Sequence, residues 1–205
     1  MSKLKSLANI GVLTLVVAVA MVGLAKITNN NKFFIITGLY IASMLSWKLS
    51  KLGLDAIGLS PSKVVAGLKL ALPISLVIFV GGFVIFLVNP NTFADQRYNQ
   101  DLTALILSIL VVIPLSTVII EELIFRGLLL ALILRIYSKR IAMVLSAILF
   151  GLWHVLSAYF INISGVGLPF EIPKLLIILG VVIATSLAGW LLAWLRFKSD
   201  SFVTP

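Results

Sequence analysis

The strongest constraint on this chain is a succession of apolar runs, several of which reach the ~20 residues that carry a helix across a bilayer. They cover about 7–25, 33–47, 70–88, 102–137, 141–160 and 175–195. Within each run the apolar residues are continuous. A membrane β-barrel needs in–out alternation instead. With 61% hydrophobic and only 11% charged residues, the chain also lacks the ~25% charged residues that usually cover a soluble domain. The expected fold class is all-α: a polytopic transmembrane helical bundle of about six spans, with a short interfacial amphipathic helix.

The segments between the runs set the order of the bundle. Lys3 and Lys5 precede the first run, and Ala18-Val-Ala20 within it resembles a signal-peptidase site. The run continues apolar through Ala25, so a retained first span is expected. Residues 28–32 form a polar turn. Trp47 and Lys48 suit the headgroup level at the end of the second run. Residues 51–69 mix Asp55, Gly58, Ser60, Pro61 and Lys63 with apolar positions. They read as an interfacial turn and a short amphipathic helix from Pro61, with Ser60 as its N-cap. Pro73 and Gly81-Gly82 predict a bend or a close helix contact in the third run. The fourth run, about 36 residues, would reach ~54 Å as a straight helix, so a tilt and a break or kink near Pro114 are expected. Prolines and glycines in 161–173 break the helix before the sixth run. No repeat or linker divides the chain. It reads as one transmembrane domain, 1–205, with N-terminal spans in 1–101 and the motif-bearing half in 102–205.

The net charge of +9 is a topology signal and not a nucleic-acid signal, because the basic residues gather at the ends of the runs. With six spans and both termini cytoplasmic, the cytoplasmic side holds eleven: Lys3, Lys5, Lys48, Lys51, Lys63, Lys69, Arg135, Lys139, Arg140, Arg196 and Lys198. The other side holds four: Lys26, Lys32, Arg97 and Lys174. The expected location is a membrane, with lipid as partner. Oligomeric state is not readable. The absence of cysteine excludes disulfides, thiol nucleophiles and thiolate metal sites.

One basic residue falls outside this pattern. Arg126 lies inside the fourth run with Glu121 and Glu122, where ionised groups cost several kcal/mol and mark function. Glu122 and Arg126, four apart with the acid first, suit an ion pair. Glu121 points ~100° away from Glu122, toward the fifth run. The only histidine, His154, lies there. Glu121 is 17 residues before Ser138 and His154 is 16 after it. In an antiparallel hairpin turning at Ser138, equal rise per residue brings the two to nearly one depth. Phe150, four before His154, can brace the imidazole. Ser116, Thr117 and Ser157 can satisfy polar groups nearby. A carboxylate facing an imidazole suits water activation, a shared metal ion or a proton relay. Spacing leaves the three open.

Glu121-Glu122-x-x-x-Arg126 followed by Phe150-x-x-x-His154 resembles the first two motifs of the CAAX-protease and bacteriocin-processing family of intramembrane endopeptidases (also CPBP or Abi), which includes type II CAAX prenyl endopeptidases. Phe125, Gly127 and the residues 149–153 fit as well. The resemblance covers about 102–205. It implies a peptide or protein substrate, a bacterial cytoplasmic membrane as the location, and Glu121 as the group that activates the attacking water. His154 binds the water, the oxyanion or a metal, and Glu122, Arg126 and Phe150 support the site. A divalent cation such as zinc on His154 and Glu121 is the implied cofactor, with a glutamate-type mechanism as the other possibility. The family has a further motif, a second histidine followed four residues later by Asn or Asp. The segment 196–205 resembles the loop before it, and the sequence stops short of that histidine. An incomplete, catalytically impaired form is therefore expected. Two alternatives stand beside the protease: a non-catalytic immunity or scaffold protein on the same fold, and a small proton-coupled transporter. Trp153, Trp190 and Trp194 read as ordinary core or interface aromatics.

Overall fold

Apolar runs fold as helices here because only intrasegment hydrogen bonds satisfy the backbone in hydrocarbon. The structure, a computed structural model, describes residues 5, 6, 8–10, 12, 13, 32–89, 101–160 and 172–205. Among these the regular elements are all helical: α1 Lys32–Ser50, α2 Leu54–Ile57, α3 Pro61–Val88, α4 over 102–134, α5 Lys139–Trp153, α6 Val155–Phe160 and α7 Lys174–Ser199. Four stretches are long and apolar enough to cross a membrane: Leu54–Val88, Thr103–Leu134, Lys139–Phe160 and Lys174–Ser199. The chain is thus an all-α helical membrane protein. Most of the first predicted span, the possible cleavage site at Ala18-Val-Ala20 and most of the loop 161–173 lie outside the described residues.

Two expectations about helix boundaries are corrected. The stretch from Pro61 is not a separate amphipathic helix; it is the first turns of the 28-residue α3. Pro61 sits at the N-terminal position where its missing N–H costs nothing, and Pro73 is accommodated without ending the helix. The short helix of this region is α2 instead. Of the break or kink expected near Pro114, the fourth run does not show the break. It widens into i→i+5 bonded turns at Ser108–Val112, Pro114–Val118 and Leu123–Leu129. Ser116 Oγ donates to the Val112 carbonyl at 2.6 Å, one of the ways hydroxyls re-satisfy backbone in apolar helices.

The core lies along the second half of α4. Residues 122–133 are all buried, whereas much of 106–119 and of α3 beyond Leu72 is exposed and apolar, as a lipid-facing surface is. Ser6 Oγ donates to the Leu132 carbonyl at 3.2 Å, which ties the N-terminal segment to this core. Arg135 donates to the Ser50 carbonyl at 2.8 Å, binding the end of α1 to the α4–α5 turn.

α5 and α7 form the most extensive helix pair, and glycines allow it. A Cβ on Gly151 would collide with Ser186 Oγ and stand 2.6 Å from the Val182 carbonyl oxygen. A Cβ on Gly189 would stand 2.9 Å from Phe150 Cδ1. Small residues at such crossings let backbones approach in lipid. Gly151→Ala is therefore expected to destabilise the fold by about 1–3 kcal/mol, the usual cost of overpacking, seen as a lowered Tm in detergent.

At the end of the bundle near the α4–α5 turn, the last residues clasp the α2–α3 corner. Gly58 ends α2 with φ +78°, and its carbonyl accepts from the Phe202 N–H at 3.0 Å. Any Cβ at Gly58 would meet the Arg196 guanidinium and the Phe202 nitrogen, each at 2.7 Å. Arg196 donates to the Ala56 carbonyl at 3.2 Å and to Asp200 at 3.1 Å. Lys63 reaches Asp200 at 2.7 Å. Partial burial pushes the Asp200 carboxyl upward, but hydrogen bonds and charge from Lys63 and Arg196 outweigh it and hold the group below its ordinary 3.8. The clasp is thus fully stabilised above that value and loosens as pH falls through the depressed one. Asp200 is 62% exposed, so the effect is modest, about 0.2–1 kcal/mol. Acid titration of the Trp194 fluorescence should show a transition below pH 3.8 that Asp200→Asn abolishes.

Candidate active site

The α4–α5 hairpin sets the geometry of the site. α4 ends at Leu134 and α5 begins at Lys139. Ser146 Oγ donates to the Phe125 carbonyl at 3.2 Å across the pair, which fixes their register near the core. Further from the hairpin, Trp153 Nε1 donates to Glu121 Oε1 at 2.8 Å. Glu121 therefore faces α5 and meets it at residue 153, beside His154. Both Glu121 and His154 are half-buried. Among the described residues no hydrogen bond or ion pair joins them directly.

His154 sits at the C-terminal cap of α5 with φ −88° and ψ −3°. Its Nδ1 lies 2.8 Å from the Phe150 carbonyl oxygen. A carbonyl only accepts, so Nδ1 carries the proton and Nε2 is left for other work. The Phe150 ring meets the imidazole edge-on at 4.7 Å, and Phe125 meets Phe150 at 5.2 Å. The backbone and these rings hold the imidazole in one orientation.

Glu122 turns to the opposite side and is buried. Its Oε1 lies 2.9 Å from Arg126 Nη1, an approach outside the hydrogen-bond direction, since Nη1 has no hydrogen-bond acceptor. The Arg126 side chain is 0% exposed, and its guanidinium stacks 4.0 Å from the Phe150 ring centre. Phe150 thus lies between two functions, bracing His154 at one edge and covering Arg126 with its face. Ser116 is spent on α4 backbone and approaches Thr117 at 3.4 Å. Ser157 is exposed.

Sequence reasoning missed Trp153. Read as an ordinary aromatic, it is the residue that holds Glu121, and an indole N–H next to His154 on the face of α5 opposed to a glutamate was the available signal. It also missed the structural part of Arg196, whose partners Ala56 and Asp200 are far apart in the chain.

As a metal site the donors fall short. Among the described residues no three His, Asp or Glu side chains stand together. Glu121 and His154 amount to two, one fewer than the three protein ligands of a catalytic zinc. One oxygen of Glu121 is already bonded to Trp153.

A family model for Rce1-like type II CAAX prenyl endopeptidases matches residues 102–205, the stretch that contains α4, α5 and α7. No curated protein and no solved structure matches the chain.

Proposed function

Because the chain belongs to the Rce1-like type II CAAX prenyl endopeptidase family, we propose that it hydrolyses peptide bonds at or in the membrane, with Glu121 activating the attacking water. The observation that carries this reading is the Trp153–Glu121 bond of 2.8 Å, which fixes a carboxylate beside the only histidine. With Oε1 held, Oε2 is the oxygen that takes a proton from water. The hydroxide oxygen bonds to the scissile carbonyl carbon. His154, with its proton on Nδ1 toward the Phe150 carbonyl, accepts a hydrogen bond from the attacking water at Nε2 and orients it. Collapse breaks the C–N bond, and Glu121 passes its proton to the departing amine. Every step uses this chain's own groups and none runs through a metal. Glu122 and Arg126 act as support: their ion pair and the Phe150 stack fix the α4–α5 contact.

The test is cleavage of reporter peptides by the full chain in liposomes made up in ¹⁸O-labelled water. Hydrolysis puts the label into the new C-terminal carboxyl. Absence of cleavage, or cleavage without label, counts against the proposal. The two-donor set favours a second reading, a non-catalytic peptide-binding or immunity protein on the same fold. That protein would tolerate Glu121→Gln without loss of phenotype.

A further inference from the structure

A cavity of about 460 Å³ opens at the end of the bundle near the α4–α5 turn, on the far side of Arg126 from Glu121. Its lining joins four cations, Lys63, Arg126, Lys139 and Arg196, with two carboxylates, Asp55 and Asp200. The rim is open, with the Asp55 and Asp200 side chains 77% and 62% exposed. The inner wall is not: Arg126 and Arg196 are 1% and 4% exposed.

The polar groups of this cavity are only partly satisfied: Lys63 pairs with Asp55 and Asp200, and Arg196 donates to Ala56 and Asp200. Nε, Nη1 and Nη2 of Arg126 and Nε of Arg196 are buried with no hydrogen-bond acceptor among the described residues. Buried donors left unmade cost about 1–3 kcal/mol each, more for charged groups, so they are rarely idle. Glu122 supplies charge to Arg126, yet the four cations still outnumber Asp55, Asp200 and Glu122 by one. Two of the cations are also placed against their own helices. Lys63 and Lys139 lie in the first turns of α3 and α5, where the helix dipole repels a positive charge. Neither Ser60 nor Ser138 caps its helix with a side-chain bond. An anion in the cavity would satisfy the arginine donors and both helix starts together.

We propose that this cavity is a binding site for a phosphate group, that of an anionic phospholipid headgroup or of free phosphate. Planar guanidinium groups match phosphate oxygens in pairs. The volume takes a phosphate and several waters, at ~30 Å³ per water. The cavity lies at the basic end of the bundle, the end the charge rule places in the cytoplasm, and basic pockets between helices on that side hold anionic headgroups. This inference is independent of whether Glu121 hydrolyses anything.

The test uses the full chain in nanodiscs of phosphatidylcholine alone or with phosphatidylglycerol. It measures Tm, and phosphatidylglycerol retained through detergent exchange. Lys139→Gln is the main variant, because Lys139 is exposed at the rim and among the described residues its side chain meets the Phe197 ring in a cation–π contact at 5.6 Å. Arg140→Gln, the next residue, which does not line the cavity, is the control. Phosphatidylglycerol is expected to raise Tm and to be retained, with affinity about tenfold weaker in Lys139→Gln and unchanged in Arg140→Gln. Inorganic phosphate should compete with the lipid. If inorganic phosphate in the neutral nanodisc raises Tm as far as phosphatidylglycerol does, the site takes free phosphate. If only the lipid acts, the headgroup is the ligand. Equal losses in the two variants would show a diffuse surface charge and overturn the proposal. So would stabilisation by peptide carboxylates but not by phosphate, or no response to either phosphate source.

Discussion

Glu121→Gln is expected to lower peptide cleavage by about 10²–10⁴-fold, the usual contribution of a positioned general base, while leaving Tm in detergent nearly unchanged. Glutamine keeps an oxygen to accept the Trp153 N–H but cannot take a proton from water. The substitution therefore separates chemistry from packing at the contact observed at 2.8 Å. Trp153→Phe tests the same contact from the other side. It keeps the aromatic packing against Phe125, whose ring centre is 6.1 Å away, but frees the carboxylate. The expected loss is smaller and falls on kcat, because orientation and not the base itself is removed. Peptide cleavage rates of the three proteins in the same liposomes decide the matter. Equal rates for wild type and Glu121→Gln would remove Glu121 from the chemistry.

The second large effect concerns the pair that stands behind the site. Glu122→Ala leaves the Arg126 guanidinium buried beside Phe150 without its nearest counter-charge and is expected to destabilise the fold by about 3–5 kcal/mol. Arg126→Ala leaves Glu122 in the same position and should cost a similar amount. Replacing both by apolar residues of similar volume, Glu122→Leu with Arg126→Met, should recover most of the loss, because desolvation of two charges offsets much of their attraction. With Glu122→Leu and Arg126→Met also made singly, the double-mutant cycle, read as Tm in detergent, gives the coupling directly. If the two single losses simply add, the 2.9 Å approach carries no stability of its own. The paired variant also tests support: Phe150 keeps its contact with His154 but loses its cation, so any fall in cleavage at near-native stability reports positioning of the imidazole.

Much of this arrangement could be read from residues, and its limits have physical causes. Continuous apolar runs dictate helices because the bilayer offers the backbone no other partner. The antiparallel count from Ser138 brings Glu121 and His154 to nearly one depth, and Glu121 bonds to Trp153, the residue next to His154. The wide turns at Leu123–Leu129 were not legible. Hydropathy cannot reveal such turns, since it reports which residues meet lipid and not how the backbone winds. Glu122 and Arg126 were legible because their contact is local, four residues apart on one helix. Trp153 was not, because its indole N–H matters only through a helix 32 residues away. Arg196 escaped for the same reason: the Ala56 carbonyl it binds is 140 residues distant. The continuity of α3 through Pro61 and Pro73 went unread because composition changes near residue 70 while the backbone does not.

The most direct measurement of whether Glu121 and His154 share one face of the α4–α5 hairpin is thiol cross-linking in the membrane. The chain has no cysteine of its own, so an introduced pair reports only itself. Glu121→Cys combined with His154→Cys should link rapidly through a short bismaleimide. Glu121→Cys with Leu152→Cys should not, because Leu152 lies at the same depth but is 48% exposed on another side of α5. Equal linking of both pairs, or preference for residue 152, would contradict the shared face on which the hydrolytic reading depends.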